Sequence, residues 1–228
     1  MTVALTIQEL ARYLDHTLLK PDATARDIEQ LCAEARQHGF HAVCVNGSRV
    51  LQARHCLADS MVKVVAVVGF PLGAMDADAK RYETETAIDH DAHEIDCVIN
   101  VGRLKDGDHS YVLRELHDVV EAADERPVKV ILETGLLTRE EKILACRLAV
   151  ESGAQFVKTS TGFNAGGATI ENVKLLRETV GEKFGVKASS GIRDAAAACA
   201  MIAAGATRLG TSASVAIVLG ARADGGTY

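Results

Sequence analysis

The run Lys-Val-Val-Ala-Val-Val-Gly-Phe at residues 63–70 places four valines and an alanine in succession with no polar residue between them. A strand with one wet face alternates apolar and polar side chains. An unbroken Val-rich run closed by glycine reads as a strand covered on both faces, as in a parallel sheet flanked by helices. Seven more short runs resemble it: YLDHTLL (13–19), HAVCVN (41–46), EIDCVINVG (94–102), VKVILETG (128–135), QFVKTSTG (155–162), GVKASSGI (185–192) and ATRLGTS (206–212). Longer amphipathic stretches separate them. Residues 24–39 open on Thr24 as a helix cap and close on Gly39, and residues 137–153 repeat the pattern with Thr138 and Gly153. Residues 168–181 and 193–205 do so again. Eight strand-plus-helix units in one chain predict a closed (β/α)8 TIM barrel, an α/β fold. A doubly wound open sheet is the rival, but eight regular units without a mid-chain linker favour closure.

The chain has 228 residues, 48% of them hydrophobic and 25% charged, enough for one sizeable core. No Pro/Ser-rich linker or low-complexity tract divides it, so residues 1–228 read as a single domain, with a flexible tail at about 221–228. Twenty-five Lys and Arg against 31 Asp and Glu leave a net charge of −6. An acidic chain without a basic run is poorly suited to a phosphate backbone, so nucleic acid is not expected as a partner. The N-terminus lacks the pattern of a signal peptide, and no stretch approaches the roughly 20 apolar residues of a membrane helix. Six dispersed cysteines without a C-x-x-C pair read as buried small hydrophobes in a reducing compartment. The expected location is cytoplasmic, with no membrane contact.

In a barrel of this kind the chemistry gathers at the carboxyl ends of the strands. Lys63 and Lys129 start their runs and are expected to reach solvent at the opposite end. Lys158 and Lys187 end adjacent runs, just before TSTGF and ASSG, and therefore point at the catalytic rim. Two neighbouring buried ammonium groups are costly, but one lysine kept uncharged by the other becomes an amine nucleophile toward a carbonyl. Asp96, inside EIDCVINVG, needs a cation or proton partner that the lysines could supply. Glu133, at the end of VKVILE, could join the same network. A lysine paired structurally with a carboxylate would satisfy the same rules.

Glycine-rich turns at 161–169, 189–194 and 209–214 are suited to anions, because glycine admits close backbone approach and amide groups at helix starts face negative charge. Together they favour a phosphorylated substrate. His90 and His93 read as a surface turn, and no metal-ligand spacing is recognisable. His16, near the end of the first run, is either a hydrogen-bonded structural residue or a neighbour of the site. No phosphate-binding P-loop, dinucleotide fingerprint or serine elbow is present.

These motifs together resemble the deoxyribose-phosphate aldolase family in its short bacterial and archaeal form. The likeness runs nearly end to end, through LDHTLLKP (14–21), AVCVN (42–46), VVGFPLG (67–73), EIDCVINVG (94–102), KVILET (129–134), VKTSTGF (157–163), VKASSGIR (186–193) and GTS (210–212). It implies a class I aldolase that reversibly cleaves 2-deoxy-D-ribose 5-phosphate to D-glyceraldehyde 3-phosphate and acetaldehyde, in deoxyribose phosphate catabolism. Lys158 would form the Schiff base, Lys187 would be the neighbouring cation that lowers its pKa, and Asp96 would move protons through a water. No metal or organic cofactor is implied. The resemblance also places Asp15, Thr17, Thr159, Gly162, Ser190, Gly191, Gly210 and Ser212 around the substrate and its phosphate, with Cys44 and Glu133 behind them. It implies that the C-terminal Tyr228 reaches the site and assists proton abstraction, with Gly225 and Gly226 as hinge, and that the protein is a homo-oligomer, commonly a dimer. Ser190 stands where the family usually has glycine, Ala213 where a second serine is frequent, and Asp91 at a helix end that is commonly glycine. A different class I aldolase, a metal-dependent aldolase and a non-catalytic sugar-phosphate-binding barrel are the competing readings.

Overall fold

The computed structural model describes residues 5–164, 166–221 and 223. Eight parallel strands close into a barrel in sequence order: β1 (Leu14–Leu18), β2 (Ala42–Asn46), β3 (Lys63–Val68), β4 (Glu94–Val98), β5 (Val128–Ile131), β6 (Phe156–Lys158), β7 (Gly185–Ser189) and β8 (Arg208–Thr211), with β8 pairing back onto β1. The helices around it are α1 (Ile7–Ala11), α2 (Ala25–His38), α3 (Val50–Cys56), α4 (Ala77–Asp89), α5 (Val101–Lys105), α6 (His109–Ala122), α7 (Arg139–Glu151), α8 (Ile170–Val180), α9 (Ala195–Ala203) and α10 (Ser214–Val218). The expected (β/α)8 barrel is therefore the observed fold.

The helix boundaries follow local chemistry. Thr24 caps α2 and Thr138 caps α7, each accepting the N–H of an acidic residue three positions on whose carboxylate returns to the cap's own N–H. Gly39 ends α2 at φ 66°, a conformation that favours glycine. Strand β6 is shorter than the run 155–162 suggests. After Lys158 the hydroxyl of Thr159 accepts the N–H of Ser189 and donates to its carbonyl, so the chain leaves the sheet as a loop.

Period-two alternation divides the strands. Val43, Val45, Val64, Ala66, Ile95, Cys97, Val130, Val157, Val186 and Leu209 belong to the large cluster between sheet and helices. Inside the barrel, Ala42, Cys44, Val65 and Val67 form a smaller apolar cluster with Leu19 under Phe70. Among the remaining interior positions Asp15, Glu94, Asp96, Lys129, Lys158, Lys187 and Arg208 are charged. The six cysteines are unpaired; four are buried, but Cys56 is half-buried and Cys199 is exposed, so the expectation of six buried thiols is corrected there. His93 accepts the N–H of Val64 and is half-buried, a structural role rather than a bare surface turn.

Two departures from a glycine-rich pattern carry left-handed backbone: Asp91 at φ 65° and Ser190 at φ 74°. The Asp91 carboxylate is held 2.8 Å from Arg54 Nε, which fixes the end of α4. Ser190 lies where the loops after β6 and β7 meet; a Cβ on Gly167 would come within 2.7 Å of its carbonyl oxygen. Ala168 donates to both the Ser189 and Ser190 carbonyls. Of the tail, Ala223 donates to Arg193 O, so the chain is still tied down there. Tyr228, Gly225 and Gly226 lie outside the described residues.

Lys80 on α4 and Glu115 on α6 form an ion pair of 2.8 Å with neither side chain exposed. Lys80 also donates to Val98 O, and Glu115 accepts from Asn100 N–H, so the pair fixes the loop leaving β4. Burial raises the Glu115 carboxyl despite Lys80. Removing one partner strands a buried charge, so Lys80→Met should destabilise the protein by about 3–5 kcal/mol, and the double variant Lys80→Met/Glu115→Leu by clearly less, as read by chemical denaturation. Ser190→Gly should stabilise by about 0.5–1 kcal/mol in the same assay, because relief of the left-handed penalty (~1–2 kcal/mol) exceeds the added unfolded-chain entropy.

Candidate active site

Strand register brings the charged residues together. Asp96 on β4 lies beside Lys129 on β5, Lys158 on β6 beside Lys187 on β7, and Lys187 beside Arg208 on β8. Asp96, wholly buried, accepts from Lys129 at Oδ1 (2.8 Å) and from both Lys158 (2.9 Å) and Lys187 (2.8 Å) at Oδ2. Burial alone would raise its carboxyl, but Lys129, Lys158 and Lys187 hold it well below the usual carboxylate range.

The contacts continue away from Asp96. Lys129 reaches Glu94 Oε2 at 2.6 Å, and the same oxygen accepts from Arg208 Nη1 at 3.1 Å. Arg208 Nη1 also reaches Asp15 Oδ1 at 3.1 Å, while Asp15 Oδ2 accepts from Lys187, which returns to Asp96. Asp96, Lys129, Glu94, Arg208, Asp15 and Lys187 thus close a ring of alternating charge. Burial opposes the charge on Lys187, but Asp15 and Asp96 carry its pKa above the ordinary value; Asp96 and Glu94 do the same for Lys129. Burial would also raise the Asp15 carboxyl, yet Lys187 and Arg208 lower it. Lys158 stands outside the ring, and its amine meets the ring at Asp96 Oδ2.

Lys129 corrects the expectation drawn from its place in the sequence. It does not reach solvent at the barrel floor; its side chain is fully buried and held by two carboxylates. Its position second in β5 directs it inward, and the inner layer there is polar. Lys63 is half-exposed at the start of β3, as expected.

Asp15, expected at the substrate, has both oxygens committed to Lys187 and Arg208. Glu133 does not join the lysine–aspartate network. It follows the end of β5 at φ 56°, which turns its carboxylate onto the loop after β6, where it accepts from Thr161 Oγ1 and from Asn164 Nδ2 at 3.0 Å. Cys44 lies in the apolar inner wall, and burial pushes its thiol up to about 11. Thr17 donates to the Asp15 carbonyl, and Thr159 bridges to Ser189.

Gly210 serves Lys187 sterically: a Cβ there would lie 3.0 Å from Lys187 Cε and closer still to Ser189 Oγ. Gly162 (φ 89°) and Gly191 (φ 81°) adopt the left-handed backbone that glycine favours. Ser212 is exposed beside Thr17 and Lys20 on the wall of a cavity of about 450 Å3 that also includes His16. His16 is bound to Glu34 at 2.7 Å and packs on Phe40. The hydroxyls of Ser160 and Ser189 are buried without a partner among the described residues, two polar groups near the strand ends that the sequence reading did not single out.

Glu94 and Arg208 were also missed. Both stand first in their strands, and Arg208 lies within ATRLGTS, where the reasoning applied to lysines in apolar runs would have found it.

The family model described as DeoC/LacD family aldolase matches residues 10–220. The chain is 56% identical to a deoxyribose-phosphate aldolase of Bdellovibrio bacteriovorus over 218 residues, 96% of this chain and 99% of that one. It is 56% identical to that of Thermococcus gammatolerans, over 94% of this chain and 97% of the relative. The solved deoxyribose phosphate aldolase of Aeropyrum pernix superposes with a TM-score of 0.89 at 32% identity, covering 94% of this chain and 91% of that one. With the barrel, the lysine–aspartate centre and these likenesses in agreement, the chain belongs to the DeoC/LacD family of aldolases.

Proposed function

We propose that this protein reversibly cleaves 2-deoxy-D-ribose 5-phosphate to D-glyceraldehyde 3-phosphate and acetaldehyde through a Schiff base on Lys158, in deoxyribose phosphate catabolism. The observation that carries the reading is the position of Lys158: an amine 2.9 Å from Asp96 at the carboxyl end of β6, outside a ring in which three carboxylates already meet three cations. The Lys158 amine meets the ring at Asp96 Oδ2, the oxygen it shares with Lys187, and stands at the rim where a carbonyl substrate can reach it.

In the synthetic direction the Lys158 nitrogen adds to the acetaldehyde carbonyl, and loss of water leaves an iminium. A proton then leaves the methyl carbon, its electron pair forming the enamine. The enamine carbon attacks the carbonyl of D-glyceraldehyde 3-phosphate, and water releases the product and the amine. Asp96, anionic and with Oδ2 shared by Lys158 and Lys187, relays protons through a water, while Lys187 supplies fixed positive charge beside the nitrogen. The glycine turns with Gly162, Ser190, Gly191 and Ser212 receive the phosphate on backbone N–H groups. The covalent bond to Lys158 supplies the electron sink, so no metal or organic cofactor is required.

A homodimer, a cytoplasmic location and a proton-transfer role for Tyr228 are further parts of this proposal. No helix among the described residues is long and apolar enough to cross a membrane, which fits substrates met in water.

Incubation with acetaldehyde and borohydride should add an ethyl group to Lys158, found by peptide mapping, and Lys158→Met should abolish both adduct and cleavage. Active protein without an adduct at Lys158 would sink the Schiff-base reading. Asp96→Asn should lower kcat by about 10²–10⁴-fold, the usual reach of general acid–base catalysis, and EDTA should leave the wild-type rate unchanged. Deleting Tyr228 should slow solvent proton exchange at the acetaldehyde methyl while leaving adduct formation intact; undiminished exchange would remove Tyr228 from the mechanism.

A further inference from the structure

Barrels of this architecture usually fill their interior with branched apolar side chains. Here the inner wall of β2 and β3 does so, but the floor beneath Asp96 is ionic. Each buried ion carries a large desolvation cost, and an apolar floor of equal volume would be at least as stable. Packing therefore does not account for Glu94 and Arg208. Neither residue touches Lys158; each stands at the amino end of its strand, and each closes the ring that holds Asp96.

Their influence on Asp96 is directional. Glu94 Oε2 holds Lys129, and Lys129 in turn occupies Asp96 Oδ1, leaving Oδ2 to Lys158 and Lys187. Arg208 holds Asp15 Oδ1, and Asp15 Oδ2 accepts from Lys187, which also donates to Asp96. Seen from Lys158, the charged groups on the surrounding elements are Asp15 on β1, Glu94 and Asp96 on β4, Lys129 on β5, Lys187 on β7 and Arg208 on β8. His41, just before β2, lies 3.5 Å from Glu94, the Cys44 thiol on β2 faces Lys158, Lys187, Asp15 and Asp96 and is raised by burial, Lys63 heads β3, and the Phe156 ring on β6 faces Lys129 and Arg208. With His41 neutral, the ring sums to zero.

We propose that Glu94 and Arg208 are positioning residues of the reaction, setting the charge balance around Asp96 and thereby the pH window in which Lys158 acts as a nucleophile. The inference rests on Lys158 being the Schiff-base residue. Removing Glu94's charge makes the interior net positive, which disfavours a proton on Lys158, so the acid limb of the pH profile moves down. Removing Arg208's charge makes it net negative, and the limb moves up.

The test compares wild type, Glu94→Gln, Arg208→Gln, the double variant and Arg208→Lys. Two quantities are followed against pH: the rate of borohydride-trapped ethylation of Lys158 by acetaldehyde, and kcat/KM for cleavage of 2-deoxy-D-ribose 5-phosphate. The single charge removals should displace the acid limb in opposite directions by about one pH unit, the size expected for a unit charge several ångströms away at an effective dielectric of about 20. The double variant should return toward the wild-type limb, and Arg208→Lys should stay on it. Unmoved limbs, displacements in the same direction, or a double variant that only adds two losses of rate would overturn the proposal. If Arg208→Gln does not fold, Glu94→Gln must move the limb and Arg208→Lys must not; any other pair of results overturns it. Active wild-type protein without an adduct on Lys158 defeats the Schiff-base reading itself, whereas a normal adduct with unmoved limbs defeats this inference alone.

Discussion

Asp96 has two carboxylate oxygens and three lysines to satisfy, and the interior of the barrel is arranged around that constraint. Lys129 takes one oxygen, while Lys158 and Lys187 share the other. A lone buried carboxylate would protonate, and a lone buried ammonium would lose its proton. Closing the remaining charges into a ring with Glu94, Arg208 and Asp15 lets Asp96, Lys129 and Lys187 stay ionised in the barrel interior. Lys158 is the exception: it lies outside the ring and donates to Asp96 Oδ2.

The rest of the fold makes room for this arrangement. Gly185 carries no side chain because the Phe156 ring occupies its place: a Cβ there would lie 2.1 Å from the ring. That ring stacks beneath two of the cations, 5.9 Å from Lys129 and 5.6 Å from Arg208. Gly210 opens the channel for the Lys187 stem. On the other side of the interior, Cys44, Val65 and Val67 leave an apolar wall under Phe70, whose ring meets Phe163 edge-on from the loop after β6. A charged half and an apolar half therefore face one another, which suits a substrate with a carbonyl at one end and a hydrocarbon segment beside it. Glu133 acts above this centre, tying down Thr161 and Asn164 so that the loop following Lys158 keeps its shape.

How much of this could be read in advance depended on how local the cause was. The strands were visible because burial on both faces removes polar residues from them, as in residues 63–70. The caps of α2 and α7 were visible because Thr24 and Thr138 act on residues three positions away. Lys158 and Lys187 were found because each ends its strand next to polar loop residues. The same rule fails at Lys129: an amino-terminal lysine in a strand is expected at solvent, but strand parity points this one inward toward Glu94 and Asp96. Glu133, which from its place at the strand end could join the lysines, instead meets Thr161 and Asn164, its backbone being left-handed at that residue.

By itself, the amino-acid sequence determined the eight units, their closure into one barrel and the place of Lys158 and Lys187 at the ends of neighbouring strands, because apolar periodicity and position along a strand are properties of neighbouring residues. The tertiary structure alone decided which charge meets which. Asp15 and Arg208 are 193 positions apart, and Asp96 and Lys187 are 91 apart. Only the register of eight strands, accumulated around a closed circuit, brings such residues within hydrogen-bonding distance. Ring closure is for that reason a property of the barrel and of no segment within it.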